Sequence, residues 1–167
     1  MKETLKVINE LKDKGIIIDY AIGGGIAALF YVEPFLTYDL DIFVISMSEK
    51  EKNLIILTPI FDYLKSQGYS WKGEHIIIDG VPVQFIPADE LEKEAVENAK
   101  EVEYEGIKIR IVNPEYLIAI FLRAGRKKDL EKIEKLLTQT DIDKTRLDEI
   151  LNKFGLREKF LELLKMD

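Results

Sequence analysis

The chain contains no cysteine, which excludes both a disulfide framework and a thiolate metal centre. A single histidine, His75, excludes a zinc site assembled from several imidazoles. No hydrophobic run approaches the ~20 residues that span a bilayer. The opening Met1-Lys2-Glu3-Thr4-Leu5 lacks the apolar run of a signal peptide. A cytoplasmic protein with no membrane partner is therefore expected. Internal repeats, low-complexity tracts and linkers are also missing. Positive charge is in short supply: 24 basic against 31 acidic side chains leave a net charge of -7. Such a chain is no general nucleic-acid coat, although a local basic cluster can still grip a phosphate.

What is present is a chain of 167 residues, 47% hydrophobic, enough for one packed domain and too short for two. A single domain over 1–167 is expected, with a sheet-containing core at 1–112 and a helical portion at 113–167. The charge is unevenly divided between these parts. Residues 1–112 carry 12 Lys/Arg and 20 Asp/Glu, and residues 113–167 carry 12 and 11.

Leu5, Ile8 and Leu11 recur at helical spacing, and Gly15 ends that helix. The β-branched run over 16–22 predicts a buried strand, and glycines 23–25 turn it into a short helix over about 26–32. Glu33-Pro34 breaks that helix, and 39–45 predicts the next strand. Ser48 to Glu51 reads as a capping box for a helix reaching Lys65, with Pro59 predicting a kink or two pieces. Residues 75–86 read as a hairpin around Asp79-Gly80. Asp89 caps a helix to about Ala99, and 102–111 forms a second hairpin around Glu105-Gly106. Asn113-Pro114 is a cap with proline at the first helical position. Helices follow over 114–124, 127–138, 143–153 and 156–165. Trp71 and Tyr69 read as core residues.

Two segments carry chemistry. Gly23-Gly24-Gly25 can present free backbone N–H groups to an anion. Asp39 and Asp41 share one face of a strand while Leu40 and Ile42 face the core. Like carboxylates side by side repel, and a cation between them relieves the repulsion. Magnesium suits such a pair, since it takes oxygen ligands from one or two carboxylates and from substrate phosphates. The plainer alternatives are a ligand-free turn and two solvated edge residues. A Rossmann reading fails, because the spaced third glycine is missing. Arg123, Arg126, Lys127 and Lys128 form a basic cluster, either a solvated face or, through Arg126 or Lys128, a grip on a triphosphate. His75 reads as a residue that packs or hydrogen-bonds on its strand.

The glycine turn, Thr37-Tyr38-Asp39-Leu40-Asp41, and Pro114-Glu115-Tyr116-Leu117 leading to Arg126-Lys127-Lys128-Asp129 together resemble the nucleotidyltransferase superfamily. The resemblance covers residues 16–137 and is nearest to its small AbiEii-like toxin branch and related uncharacterised proteins. It implies an α/β (α+β) fold: a mixed sheet with flanking helices and a helical C-terminal third. It implies transfer of a nucleoside monophosphate from a nucleoside triphosphate to a hydroxyl of an RNA, a protein or a small molecule. Asp39 and Asp41 would be catalytic and would hold magnesium. Gly23, Gly24, Gly25, Thr37, Arg126 and Lys128 would bind the nucleotide. The toxin branch implies an antitoxin partner. The chain departs from the family at Gln84, which stands where a third carboxylate is usual, and at Lys132, where a further aspartate is common. Glutamine orients an acceptor but takes no proton. A competing reading is therefore a catalytically degenerate protein that binds nucleotide or serves as a toxin–antitoxin-type interaction module.

Overall fold

The computed structural model of the chain describes residues 1–46 and 53–166. The expected capping box at Ser48–Glu51 lies outside them. Helix α1, Lys2–Asp13, buries Leu5, Ile8 and Leu11 at the spacing seen in the sequence, and Thr4 Oγ1 donates to the Ile78 carbonyl at 2.9 Å. Strand β1, Asp19–Gly23, leads directly into helix α2, Gly24–Ala28. Strand β2 is Leu40–Ile45 and helix α3 is Asn53–Ser66. Strands β3 (Ser70–Lys72), β4 (His75–Ile78) and β5 (Val81–Pro87) precede helix α4, Glu90–Glu97. Strands β6 (Lys100–Tyr104) and β7 (Ile107–Ile111) complete the sheet. Helices α5 (Pro114–Ala124), α6 (Lys127–Gln139), α7 (Lys144–Lys153) and α8 (Arg157–Lys165) form the helical last third.

The seven strands are ordered β3-β4-β5-β2-β1-β7-β6. The sheet is mixed: β2 runs parallel to β5 and antiparallel to β1, and β1 runs parallel to β7. Its central strand is β2, with Leu40, Ile42, Phe43 and Val44 all buried. Burial on both parities means that both faces of this strand are covered. Helices α2 and α4 pack against β1 and β2, α1 against β7 and β4, and α3 against β5. Helix α5 packs against both α6 and α7, with α8 resting on α7.

Both hairpins form around their expected turns. Asp79 and Gly80 have φ of 50° and 79°, and Glu105 and Gly106 have 49° and 82°, the left-handed pair that a tight two-residue turn demands. Asp89 caps α4 through a reciprocal capping box with Glu92.

Several local expectations need correction. The strand expected over 16–22 begins only at Asp19, and Ile18 is 51% exposed, although its N–H still reaches the Ile45 carbonyl at 2.9 Å. The first helix after it starts at Gly24 rather than Ile26 and gives way to turns after Ala28. Strand β2 begins at Leu40, leaving Asp39 just ahead of it. Helix α3 runs unbroken through Pro59. The edge strand β3 had no signal of its own: it is three residues long, paired with β4 across Gly73. Trp71 is consequently 38% exposed on an edge, not in the core, and meets Phe61 edge to face at 5.1 Å. Asn113 precedes α5, but its side chain donates to the Asn98 carbonyl at 2.6 Å instead of capping the helix.

Candidate active site

Three glycines in a row are needed here because each touches something different. A Cβ on Gly23 would lie 2.2 Å from Phe43 Cε2. Gly24 has φ +59°, and its Cβ would lie 2.2 Å from Asp41 Oδ2. A Cβ on Gly25 would lie 2.7 Å from Thr37 Oγ1 and 3.5 Å from Lys132 Cε. The turn is thus pressed onto Asp41 and Thr37, and any side chain at Gly24 would displace the carboxylate.

Register places the other groups. Gly23 pairs with Asp41 across β1 and β2, and Asp41 pairs with Gln84 across β2 and β5. Paired residues share a sheet face, so Gln84 stands beside Asp41, on a strand about 4.8 Å away. Val83 and Phe85 are buried on the opposite parity. One step beyond the Ile76–Val83 pair, His75 falls opposite Gln84. His75, Gln84, Asp41 and Gly23 therefore form a row across four strands. Asp39 lies one strand position pair earlier, with its Oδ2 3.4 Å from His75 Nε2.

The electrostatics follow from this crowding. Burial pushes the Asp41 carboxyl above the usual range, and the neighbouring Asp39 pushes it further. His75, Arg126 and Lys128 pull in the other direction. Asp39 is half exposed. No described residue donates a hydrogen bond to Asp41.

The basic cluster divides. Arg123 turns away from the site and pairs with Asp89 at 2.6 Å and Glu92 at 3.3 Å. Arg126 faces the site, but Asp129 grips its guanidinium through Nε–Oδ2 at 2.6 Å and Nη2–Oδ1 at 3.1 Å. Asp129 is itself buried and also accepts from the Arg126 N–H. That fork fixes the arginine's direction while most of its surface stays open to solvent. Lys128 is exposed.

Two residues of this neighbourhood had not been singled out for it. His75 carried a readable signal: a two-residue turn at Asp79-Gly80 pairs 78 with 81 and so places 75 opposite 84. Lys132 follows Lys128 at i+4 and shares its helix face. Burial pushes its ammonium below the usual range, Lys128 and Arg126 act in the same direction, and Asp129 and Asp41 oppose them.

A family model described as nucleotidyl transferase of unknown function (DUF2204) matches residues 72–159, just over half of the chain. The chain belongs to that family. The matched span holds His75, Gln84, Arg126, Lys128 and Lys132, and the superfamily reading made from the motifs holds with it. It does not single out the toxin-like branch. No curated relative matches the chain. Among solved structures, an antigenic nucleotidyltransferase-like protein from Paracoccidioides brasiliensis shares 18% identity, with 98% of this chain and 93% of that one covered and a TM-score of 0.54. ANT(2")-Ia in complex with adenylyl-2"-tobramycin gives 15% identity, 94% and 95% coverage, and a TM-score of 0.56. The lincosamide antibiotic adenylyltransferase LnuA, lincomycin-bound, gives 16%, 83% and 97%, and 0.50. At such identities the likeness is one of fold. That fold is the mixed α/β sheet with flanking helices expected from the motifs.

Among the described residues, no group of three or more His, Cys, Asp or Glu side chains is arranged to hold a metal ion. No helix among them is long and apolar enough to cross a membrane.

Proposed function

We propose that this protein binds a magnesium–nucleoside triphosphate between the Gly23–Gly25 turn and the start of α6, and transfers its nucleoside monophosphate to a hydroxyl. The observation that carries the reading is the press of Gly24 onto an Asp41 carboxylate that already has Asp39 and Gln84 beside it. A half-buried acid raised by burial and by a second acid, with no donor from the described residues, is a charge awaiting a cation. The donors are carboxylate oxygens, which suits magnesium. With only two protein carboxylates, the remaining ligands would be phosphate oxygens and water, the usual way this ion is held. Asp39 and Asp41 are the residues that would hold it. Bound there, magnesium would neutralise charge on the reacting phosphates.

The chain's own groups supply the rest. Backbone N–H groups of Gly24 and Gly25 and the Thr37 hydroxyl donate to phosphate oxygens. Arg126, its plane set by Asp129, and Lys128 offset charge on the triphosphate. Gln84 orients the acceptor hydroxyl through its amide. The acceptor oxygen forms a bond to the α-phosphorus, the bond from that phosphorus to the bridging oxygen breaks, and pyrophosphate leaves with the electron pair. The hydroxyl proton passes to solvent. The acceptor is an RNA, a protein or a small molecule. Two of the solved neighbours are antibiotic-directed, so hydroxylated small molecules form one arm of the test. If the toxin-like resemblance extends to partners, an antitoxin would cover this cleft.

Gln84 favours a second reading, in which the site binds nucleotide without turning it over, because glutamine cannot take the acceptor proton. The test of both is a thermal-shift panel of the four nucleoside triphosphates with and without magnesium, followed by label transfer from α-labelled nucleotide to cellular RNA, protein and small-molecule fractions. Magnesium-dependent stabilisation with transfer supports the enzyme. Stabilisation without transfer supports the binding module. No stabilisation by any nucleotide overturns both.

A further inference from the structure

Resting on the nucleotide reading above, we propose that Lys132 grips the terminal phosphates of the bound nucleotide and makes the site select triphosphates over monophosphates. The geometry runs in one direction. Asp41 lies against Gly24, whereas Gly25 lies against Thr37 Oγ1 and the stem of Lys132. With the phosphorus undergoing transfer at the carboxylate pair, the proposed pose runs the rest of the phosphate chain along Gly25 toward Thr37 and Lys132.

Two cations of this neighbourhood have no carboxylate partner among the described residues: Lys128, which is exposed to solvent, and Lys132, which is partly buried beside Gly25. Arg126 is held by both oxygens of Asp129, Arg123 by Asp89 and Glu92, and Lys135 by Glu33 at 3.5 Å. The Lys132 ammonium has only the Lys128 carbonyl, at 3.5 Å, and no carboxylate of the described residues within salt-bridge distance. Its Nζ stands 5.7 Å from the centroids of both the Phe35 and Phe121 rings. Two ring faces hold the ammonium in place and screen it from water without neutralising it. A partly desolvated cation beside a hydroxyl and a backbone turn offers an anion both charge and donors. A monophosphate seated at Asp41 would leave it unused, and a triphosphate would reach it.

The test is calorimetric titration of wild type, Lys132→Met and Lys132→Gln with ATP, AMP and inorganic tripolyphosphate, with and without magnesium. Methionine keeps the apolar stem against Gly25 and the two rings and removes only the charge. The expected result is a tenfold or greater loss of ATP and tripolyphosphate affinity in the variants, with AMP affinity unchanged within twofold. Folded variants that bind tripolyphosphate and ATP like wild type overturn the proposal. If wild type binds ATP and AMP equally well and the variants do the same, the nucleotide reading stands and the Lys132 proposal falls. If wild type binds none of the three, both fall. Should the variants not fold, lysine methylation of wild type read by mass spectrometry decides the matter. Protection of Lys132 by tripolyphosphate supports the proposal, and equal labelling with and without it overturns it.

Discussion

The molecule carries two acid pairs, each with one member whose carboxyl burial pushes up, Glu92 in one and Asp41 in the other, and they differ in what answers their charge. Asp89 and Glu92, at the start of α4, are closed within the fold. Asp89 accepts from the Glu92 N–H at 3.0 Å, Glu92 accepts from the Asp89 N–H at 3.1 Å, and Arg123 bridges the two carboxylates. Asp39 and Asp41, at the start of β2, have no such closure. Among the described residues they meet only His75 at 3.4 Å from Asp39, with Arg126 and Lys128 acting from farther away. An acid pair answered by backbone donors and an arginine fastens a helix to its neighbour. A pair left unanswered next to a glycine turn has room for a ligand to complete it.

The sharpest way to press on this difference is to add a third acid to the open pair. Gln84→Glu places a carboxylate in register with Asp41. Without magnesium the variant should melt below wild type, because three like charges now crowd one face. With magnesium and nucleotide it should gain stability beyond wild type. If the missing acid limits transfer, label transfer should rise by about 10²–10⁴-fold, the usual range for general-base assistance. A variant that transfers more slowly than an already fast wild type would show that the glutamine suffices.

Removing charge from the open pair should have the next largest effect. Asp41→Asn should abolish the magnesium-dependent rise in melting temperature and lower transfer by at least about 100-fold. Metal-free, it should be as stable as wild type or more so, since a destabilised charge is gone. The equivalent change in the closed pair, Asp89→Asn, should leave the nucleotide response intact. Equal loss of response in both would erase the distinction.

Much of this contrast could be read in the sequence, and the unread parts have physical reasons. The glycine turn, the two aspartates and Gln84 were placed by strand alternation and by an Asp-Gly hairpin, both short-range rules. The motif resemblance points to Arg126 rather than Arg123, but spacing alone does not separate two arginines three residues apart around Gly125. Gly125 adopts φ 67° and ends α5 between them, and only the tertiary packing decides that one meets α4 and the other the site. Lys132 was noticed as a departure from a motif, and its place under Gly25 depends on how α6 docks, which periodicity does not specify. Strand β3 escaped notice because three exposed residues carry no burial pattern.

A backbone substitution sharpens the comparison at smaller amplitude. Gly24→Ala and Gly15→Ala both force alanine into the left-handed region, at a cost of about 1–2 kcal/mol. Nothing lies within 4 Å of a Cβ on Gly15, whereas one on Gly24 meets Asp41 Oδ2 at 2.2 Å. Both variants should lose a few degrees of melting temperature. Gly24→Ala alone should lose the nucleotide response, and an intact response in it would separate the glycine turn from the acid pair.

The closed pair predicts the smallest effect, and its sign is fixed. Burial raises the Glu92 carboxyl from 4.5 to about 7, overcoming the opposing pull of the Asp89 N–H and Arg123. A folded-state value above the unfolded one means that the folded protein holds the proton more tightly. The corresponding stability is fully present below about 4.5 and is lost as pH rises through about 7. The whole change should amount to about 1–3 kcal/mol. Glu92→Gln cannot ionise, so the difference in stability between wild type and this variant should shrink or change sign from pH 5 to pH 8, read from denaturant midpoints at fixed salt. The nucleotide response should be the same in both, because Arg123 and α4 take no part in the proposed site. A constant difference across that pH range would mean that Arg123 keeps Glu92 ionised throughout. The closed pair would then be held by charge rather than by its hydrogen bonds, and the contrast with Asp39 and Asp41 would rest on the arginine alone.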